Sequence, residues 1–148
     1  ISFYIKINSL SDIEMVGTIE YLIEKYPTCQ WHITVRGICS LPALDRYTNV
    51  TIKSVVGRFL EHSRIYGFVS KGKDRVYISS ADMLTRNLDK RIEILCPIND
   101  KSCKTRLFDI LNTFERDSVN SWYATENGFI QREKTDVNCH NEFIKLTR

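Results

Sequence analysis

Little in this 148-residue chain breaks or staples a backbone: it has three prolines, six glycines and no Cys-x-x-Cys pair. These are the proportions of an ordinary globular chain. A chain near this length buries roughly 68–70% of its unfolded surface, so it needs no disulfide or metal to hold a core. Long apolar runs are also missing. The stretch 3–10 is already interrupted by Lys6 and Asn8, well short of the ~18 residues of a membrane span, so no span is expected. The five cysteines (Cys29, Cys39, Cys96, Cys103, Cys139) are odd in number and carry no secretory context, which points to a reducing, cytoplasmic setting. Zinc would have to combine Cys29 with His32, or Cys139 with His140, and neither pair has a second partner at finger-like spacing. Asn49-Val50-Thr51 matches a glycosylation acceptor but has no signal peptide to bring it to the machinery. Because the chain opens on Ile1, directly in a strand-like segment, it is expected to be one domain, residues 1–148, of a longer polypeptide.

What the chain does have is an uneven charge. Formal net charge is only +3, yet residues 36–91 hold eleven Lys or Arg against five Asp or Glu, leaving −3 on the flanks. Seven of the eleven are arginines: Arg36, Arg46, Arg58, Arg64, Arg75, Arg86 and Arg91. Arginine presents a rigid fork of donors that grips phosphate at two points, where lysine is a point charge. An anionic, phosphorylated partner fits this block; a solvated surface with scattered ion pairs explains the charge alone equally well. Few aromatics interleave the basic residues, which argues against nucleic acid as the ligand.

The hydrophobic pattern reads as α/β. Residues 3–7 alternate as a strand. Ser11 with Glu14 makes a capping box, and Ile13, Val16, Ile19, Leu22 and Ile23 recur at helical spacing before Pro27 ends the segment. A strand at 30–36 completes a βαβ unit and predicts a parallel pair. Further strands are expected at 50–55, 64–69, 75–79 and 91–95, the last stopped by Pro97. Asn99 or Asp100 caps a helix with Leu107, Phe108, Leu111 and Phe114 inward. Asn127-Gly128 marks a C-terminal hairpin, and residues 139–146 a short last helix.

One motif fails. Gly67-Phe68-Val69-Ser70-Lys71-Gly72-Lys73-Asp74 follows the phosphate-binding loop until Asp74, where a hydroxyl should reach magnesium. It also lies between two strands rather than leading into a helix. Of the three histidines, His32 sits in a strand with its face undetermined, and His140 lies near the terminus with no evident partner. His62 stands apart. It falls in Gly57-Arg58-Phe59-Leu60-Glu61-His62-Ser63-Arg64 at a strand's edge, with arginines four residues before and two after. The ordinary alternative is a surface histidine paired with Glu61. Eighteen residues on, Ser80-Ala81-Asp82 opens a loop of alternating donors and carboxylates, as sites at the C-terminal edge of α/β sheets are built; an internal pair such as Asp89 with Arg91 would explain it equally.

These blocks, with Val35-Arg36-Gly37-Ile38-Cys39, Thr85-Arg86-Asn87-Leu88-Asp89, Arg91 and Glu93, closely resemble the C-terminal catalytic domain of bacterial polyphosphate kinase over about residues 2–98. Asn8-Ser9-Leu10 fits too. The resemblance implies a phospholipase-D-like mixed α/β sheet flanked by helices, and reversible transfer of ATP's terminal phosphate to inorganic polyphosphate through a phosphohistidine. It implies His62 as the catalytic histidine of this domain, Arg36 as the nucleotide or phosphate contact beside it, and Arg58, Arg64, Arg86 and Arg91 as further phosphate ligands. Ser80, Asp82, Asn87 and Asp89 would support them. Magnesium would come with ATP rather than be held by this domain, and no metal ligands are assigned. The histidine that carries phosphate in this family belongs to the preceding domain, so this chain is expected to hold half a site, to be inactive alone, and to work with upstream domains in an enzyme that self-associates. Two departures stand out: residues 40–44 form a shorter loop without the family's arginine, and Met83 replaces a frequent tryptophan. Two other readings remain open: a phospholipase-D-type phosphodiesterase, which would want lysine where Arg64 stands, and a non-catalytic polyanion-binding module.

Overall fold

The computed structural model describes residues 1–37, 39–40, 46–132 and 135–146. Strand β1 (Ser2–Lys6) leads into helix α1 (Ile13–Lys25), and β2 (Gln30–Val35) and β3 (Val50–Val55) follow. β1, β2 and β3 pair in parallel, as the βαβ pattern requires. Asp12 caps α1, its Oδ1 accepting from Met15 N at 3.0 Å, in place of the expected Ser11. The shift has a cause. Ser11 N and Asp12 N both donate to Met83 O, and Thr85 Oγ1 donates to the other Asp12 oxygen at 2.8 Å, so the carboxylate is already aimed at the helix end.

β4 (Ile65–Val69) and β5 (Arg75–Ser79) form the hairpin seen in the sequence. Its turn carries Lys71 at φ 38° and Gly72 at φ 80°, a strand-to-strand bend with no helix behind it. Helix α2 (Thr85–Lys90), not expected from the sequence, precedes β6 (Leu95–Pro97). That strand starts four residues later than residues 91–95 suggested and includes Pro97. Proline is tolerated there because, among the described residues, β6 is the sheet's outer strand, with no partner beyond it to receive an N–H. Helix α3 (Lys101–Arg116) is capped by Asp100, hairpin β7 (Ser121–Thr125) and β8 (Gly128–Ile130) follows, and α4 (Cys139–Leu146) comes last. The eight-stranded mixed sheet runs β6-β5-β4-β1-β2-β3-β7-β8. Among the described residues no helix is long and apolar enough to cross a membrane.

Alternation along the strands divides the core. Ile5, Ile7, Ile33, Val35 and Ile52 pack with Ile19 and Ile23 of α1. The opposite face gives Val55 to Phe114, and Ile65 and Val76 to Leu111, under α3. Gly67 of β4 lies beneath that helix: a Cβ there would come within 2.9 Å of Leu111 Cδ1 and 3.1 Å of Phe108 Cε1. Gly67→Ala is therefore expected to destabilise the chain by about 1–3 kcal/mol through overpacking. A lowered urea midpoint measures it, and an unchanged midpoint would show that α3 gives way freely.

Topology fixes where the chemistry gathers. The parallel strands β1, β2 and β3 end at one sheet edge. β4 is antiparallel to β1 with Ile65 opposite Lys6, so it begins at that edge. β5 ends there with Ser79, and β6 starts there with Leu95 opposite it. β7 starts there too, with Ser121 opposite Val55. Asn8 and Ser9, Arg36 and Gly37, residues 56–64, residues 80–94 and residues 117–120 therefore converge on a single edge.

Candidate active site

The centre of that edge is a buried carboxylate. Asp82, only 5% exposed, accepts Asn8 N at 2.8 Å and Ser9 N at 3.2 Å on Oδ1, and Arg64 Nη2 at 2.8 Å on Oδ2. Burial alone would raise its pKa. The Arg64 hydrogen bond, the two backbone donors and the Arg64 charge outweigh burial and hold the carboxyl below the usual range. Asn8 in turn fixes the end of β2, because its carbonyl accepts Arg36 N at 3.1 Å and Gly37 N at 2.7 Å. Arg36, Asn8, Asp82 and Arg64 thus form one connected network across β2, β1, β5 and β4. Within it Arg36 Nε, Arg64 Nε and Asn8 Oδ1 are buried and meet no partner among the described residues. Arg64 is largely committed to Asp82, whereas no hydrogen bond or ion pair ties the Arg36 side chain among the described residues.

His62 is exposed, with no hydrogen bond or ion pair to its ring among the described residues. It sits on the rim of a cavity of about 660 Å³ beneath α3, with Arg64, Phe59, Phe114, His140 and Phe143. Glu61 does not pair with it. That carboxylate turns inward to Lys6 Nζ at 3.3 Å and accepts Ser63 N at 3.0 Å and Ser63 Oγ at 2.6 Å. Burial holds Lys6 below its ordinary value, and the Glu61 charge offsets only part of that.

Lys6 is a residue that sequence reasoning missed. It faces Thr34 across β1 and β2, and Thr34 faces Lys53 across β2 and β3, so all three lie in one row under α3. Both lysines are 1% exposed. Lys53 Nζ donates to Glu115 O at 2.6 Å and Asp117 O at 3.4 Å, satisfying carbonyls at the C-terminal end of α3. A lysine inside an apolar strand run, repeated at the matching position of another strand, was the signal available.

The remaining sequence candidates flank this core. Arg58 is exposed and stacks on the Phe59 ring at 5.3 Å. Arg86 and Asp89 are exposed on α2. Arg91 pairs with Glu93 at 3.8 Å, not with Asp89. Ser80 and Asn87 hold the loop: Ser80 Oγ donates to Glu93 and accepts Ile94 N at 2.9 Å, and Asn87 Nδ2 donates to Glu93 at 2.6 Å. Ile38 and residues 41–45, which include most of the shortened loop, lie outside the described residues. His32 is settled as a packed residue, stacked on Tyr4 at 4.6 Å with Nδ1 3.0 Å from Glu115. His140 reverses its expectation: it is 2% exposed, and its Nδ1 lies 3.3 Å from Phe59 N. A terminal helix read from its own residues gives no hint that residue 59 needs an acceptor.

Among the described residues, one edge of a mixed sheet thus gathers an exposed imidazole with no bond to its ring, a guanidinium whose Nε has no partner, and a buried Asp–Arg pair. The family described as "Polyphosphate kinase C-terminal domain 2" matches residues 2–143, and the chain belongs to it. Similar proteins include a polyphosphate kinase of Staphylococcus saprophyticus, 40% identical over 147 residues, which covers 95% of this chain and 20% of that protein. One of Dictyostelium discoideum is 39% identical over 119 residues, covering 78% of this chain and 11% of that protein. The crystal structure of polyphosphate kinase from Porphyromonas gingivalis superposes with a TM-score of 0.86 at 28% identity, over 99% of this chain and 23% of that one. The phospholipase-D-like α/β architecture expected from the sequence is the one found. The chain spans about a fifth of the length of the S. saprophyticus relative.

Proposed function

We propose that this chain is the C-terminal catalytic domain of a cytoplasmic polyphosphate kinase, contributing half of a site that reversibly transfers the terminal phosphate of ATP to inorganic polyphosphate. The observation that carries the reading is His62 standing exposed on the edge where Arg36 presents a buried Nε with no partner among the described residues. Phosphoryl transfer passes through a loose transition state with charge spread over the equatorial oxygens, so the protein chiefly positions groups and supplies donors. Arg36 would bind phosphate oxygens directly. Arg58, Arg86 and Arg91, exposed on the flanking segments, would receive the anionic chain. Arg64, held by Asp82, would shape the floor of the site, with Ser80, Asn87 and Asp89 supporting the loop beside it. His62 offers a ring nitrogen that accepts a proton when neutral and donates one when charged. The phosphohistidine itself would form on a partner domain of the intact, self-associating enzyme.

Magnesium enters as part of the nucleotide substrate. The edge's buried or half-buried carboxylates are engaged already: Asp82 by Arg64, Glu61 by Lys6, Asp12 by Met15 N and Thr85, Glu93 by Ser80 and Asn87. No cluster of three metal-ligating side chains occurs among the described residues.

The phosphodiesterase alternative needs a free lysine two residues after the histidine, and Arg64 there is spent on Asp82. The test uses the natural full-length chain with MgATP and short polyphosphate. ADP release matched by polymer growth is expected. Hydrolysis of a generic phosphodiester without ATP would install the rival, and salt-sensitive polyanion binding without turnover would leave only a binding module.

A further inference from the structure

Residue 62 lies on a segment with no regular structure, so something outside the segment must set where its imidazole stands. Residues 56–63 are pinned at both ends. Val56 N donates to Asn120 O at 2.9 Å, and at the far end Glu61 is tied to Lys6 and Ser63. Between these points, among the described residues, a hydrogen bond holds the middle: Phe59 N donates to His140 Nδ1 at 3.3 Å. The Phe59 ring lies against the same imidazole, with centroids 5.4 Å apart. Gly57 comes so close that a Cβ there would sit 2.7 Å from His140 Nδ1 and 2.9 Å from the Asn120 amide. His140 and His62 line the same cavity.

We propose that His140, from the last helix, is a positioning residue for the phosphoryl-transfer edge: its Nδ1 moors the segment 57–63 and thereby sets where the His62 ring meets phosphate. The inference rests on the functional reading above. A backbone N–H can only donate, so Nδ1 must be the acceptor and the ring proton resides on Nε2. The mooring therefore needs a neutral ring. Burial pushes His140 below the ordinary histidine value, against the charges of Asp117 and Glu61 and together with that of Lys6. Asp117 supplies the rigidity behind it. Its Oδ2 accepts Cys139 N at 2.8 Å, and its Oδ1 accepts Asn120 N and Ser121 Oγ, both at 2.9 Å. The start of α4 and the start of β7 are thus clamped to one carboxylate, and His140 reaches the loop from a fixed base.

In the natural full-length chain, steady-state polyphosphate synthesis is measured for His140→Leu, His140→Asn, Gly57→Ala and His62→Ala. The leucine variant is expected to lose kcat roughly tenfold, the worth of one buried hydrogen bond, with KM for ATP moving less than about twofold. Asparagine places an acceptor oxygen near the Nδ1 position, so its kcat should return to within about threefold of the unsubstituted chain. Gly57→Ala pushes on the mooring from the loop's side and should lower kcat as leucine does. Full kcat in the leucine variant, or an asparagine variant as slow as leucine, overturns the inference. Where His140→Leu yields no folded chain, Gly57→Ala decides, and undiminished kcat there overturns it. Turnover retained by His62→Ala would strike the functional reading and this inference with it. Turnover lost in His62→Ala while His140→Leu stays fast strikes the inference alone.

Discussion

His62→Ala in the natural full-length chain is expected to lower ATP-dependent polyphosphate synthesis by roughly 10³-fold, the worth of a positioned proton-transfer group, with folding stability held to within about 0.5 kcal/mol. The two halves of that expectation have separate causes. Stability is spared because the ring is exposed and unbonded among the described residues, and because its neighbours take the structural load: Glu61 is fixed by Lys6 and Ser63, Phe59 by His140. Activity is lost because the arginines and lysines on this edge cannot take over a proton transfer. Arginine stays charged throughout, and Lys6 and Lys53 are buried under α3 and bound to protein acceptors. A binding module would behave differently, with the loss spread over Arg36, Arg58, Arg86 and Arg91 and nothing special at His62. Measuring turnover and thermal melting on the same preparation separates the cases. Turnover within a few-fold of the parent takes His62 out of the chemistry, whereas a collapsed melt would mean the ring is structural after all.

Local patterns made the sheet legible. Alternation and turn chemistry place β1 to β5 within one or two residues, and Asn127-Gly128 and Asp100 mark the late hairpin and α3. Two elements were hidden for opposite reasons. α2 is six residues long with only Asn87 buried, so it has no apolar face to betray it. β6 is exposed along its whole length, and its identity comes from pairing with β5 rather than from its own residues. At the candidate site, His62 and the Ser80-Ala81-Asp82 block could be singled out because their spacing is local, and Arg36 through the resemblance alone. Lys6, Lys53, Asp117 and His140 were not. Each is buried by an element distant in sequence, and what each does depends on a partner more than 50 residues away for Lys6, Lys53 and His140, and 22 away for the Asp117 bond to Cys139. Charge and polarity at those positions read as surface until α3 and α4 are laid over them.

Asp82→Ala is expected to destabilise the fold by about 3 kcal/mol, because it strands several groups at once. Asn8 N and Ser9 N lose their acceptor at the end of β1, and Arg64 loses its counter-ion while its Nε has no partner among the described residues. The magnitude stays below the upper range for buried pairs because the Arg64 side chain is 20% exposed and water can answer part of its charge. Asp82→Asn keeps an oxygen for the two backbone donors but turns an amide toward Arg64, so it should cost less than alanine and more than nothing. Acid separates the charge from the shape. A carboxyl whose folded pKa is lowered contributes stability that is complete above its unfolded value of about 4 and fades as pH falls through the folded value. The parent chain should therefore lose part of its advantage over Asp82→Asn between pH 4 and the acid limit, and the two urea midpoints should draw together there. Midpoints that stay equally far apart down to pH 2 would assign the cost to packing around Ala81 and Met83, and the Asp82 to Arg64 pair would then contribute no charge-dependent stability to the edge that carries His62.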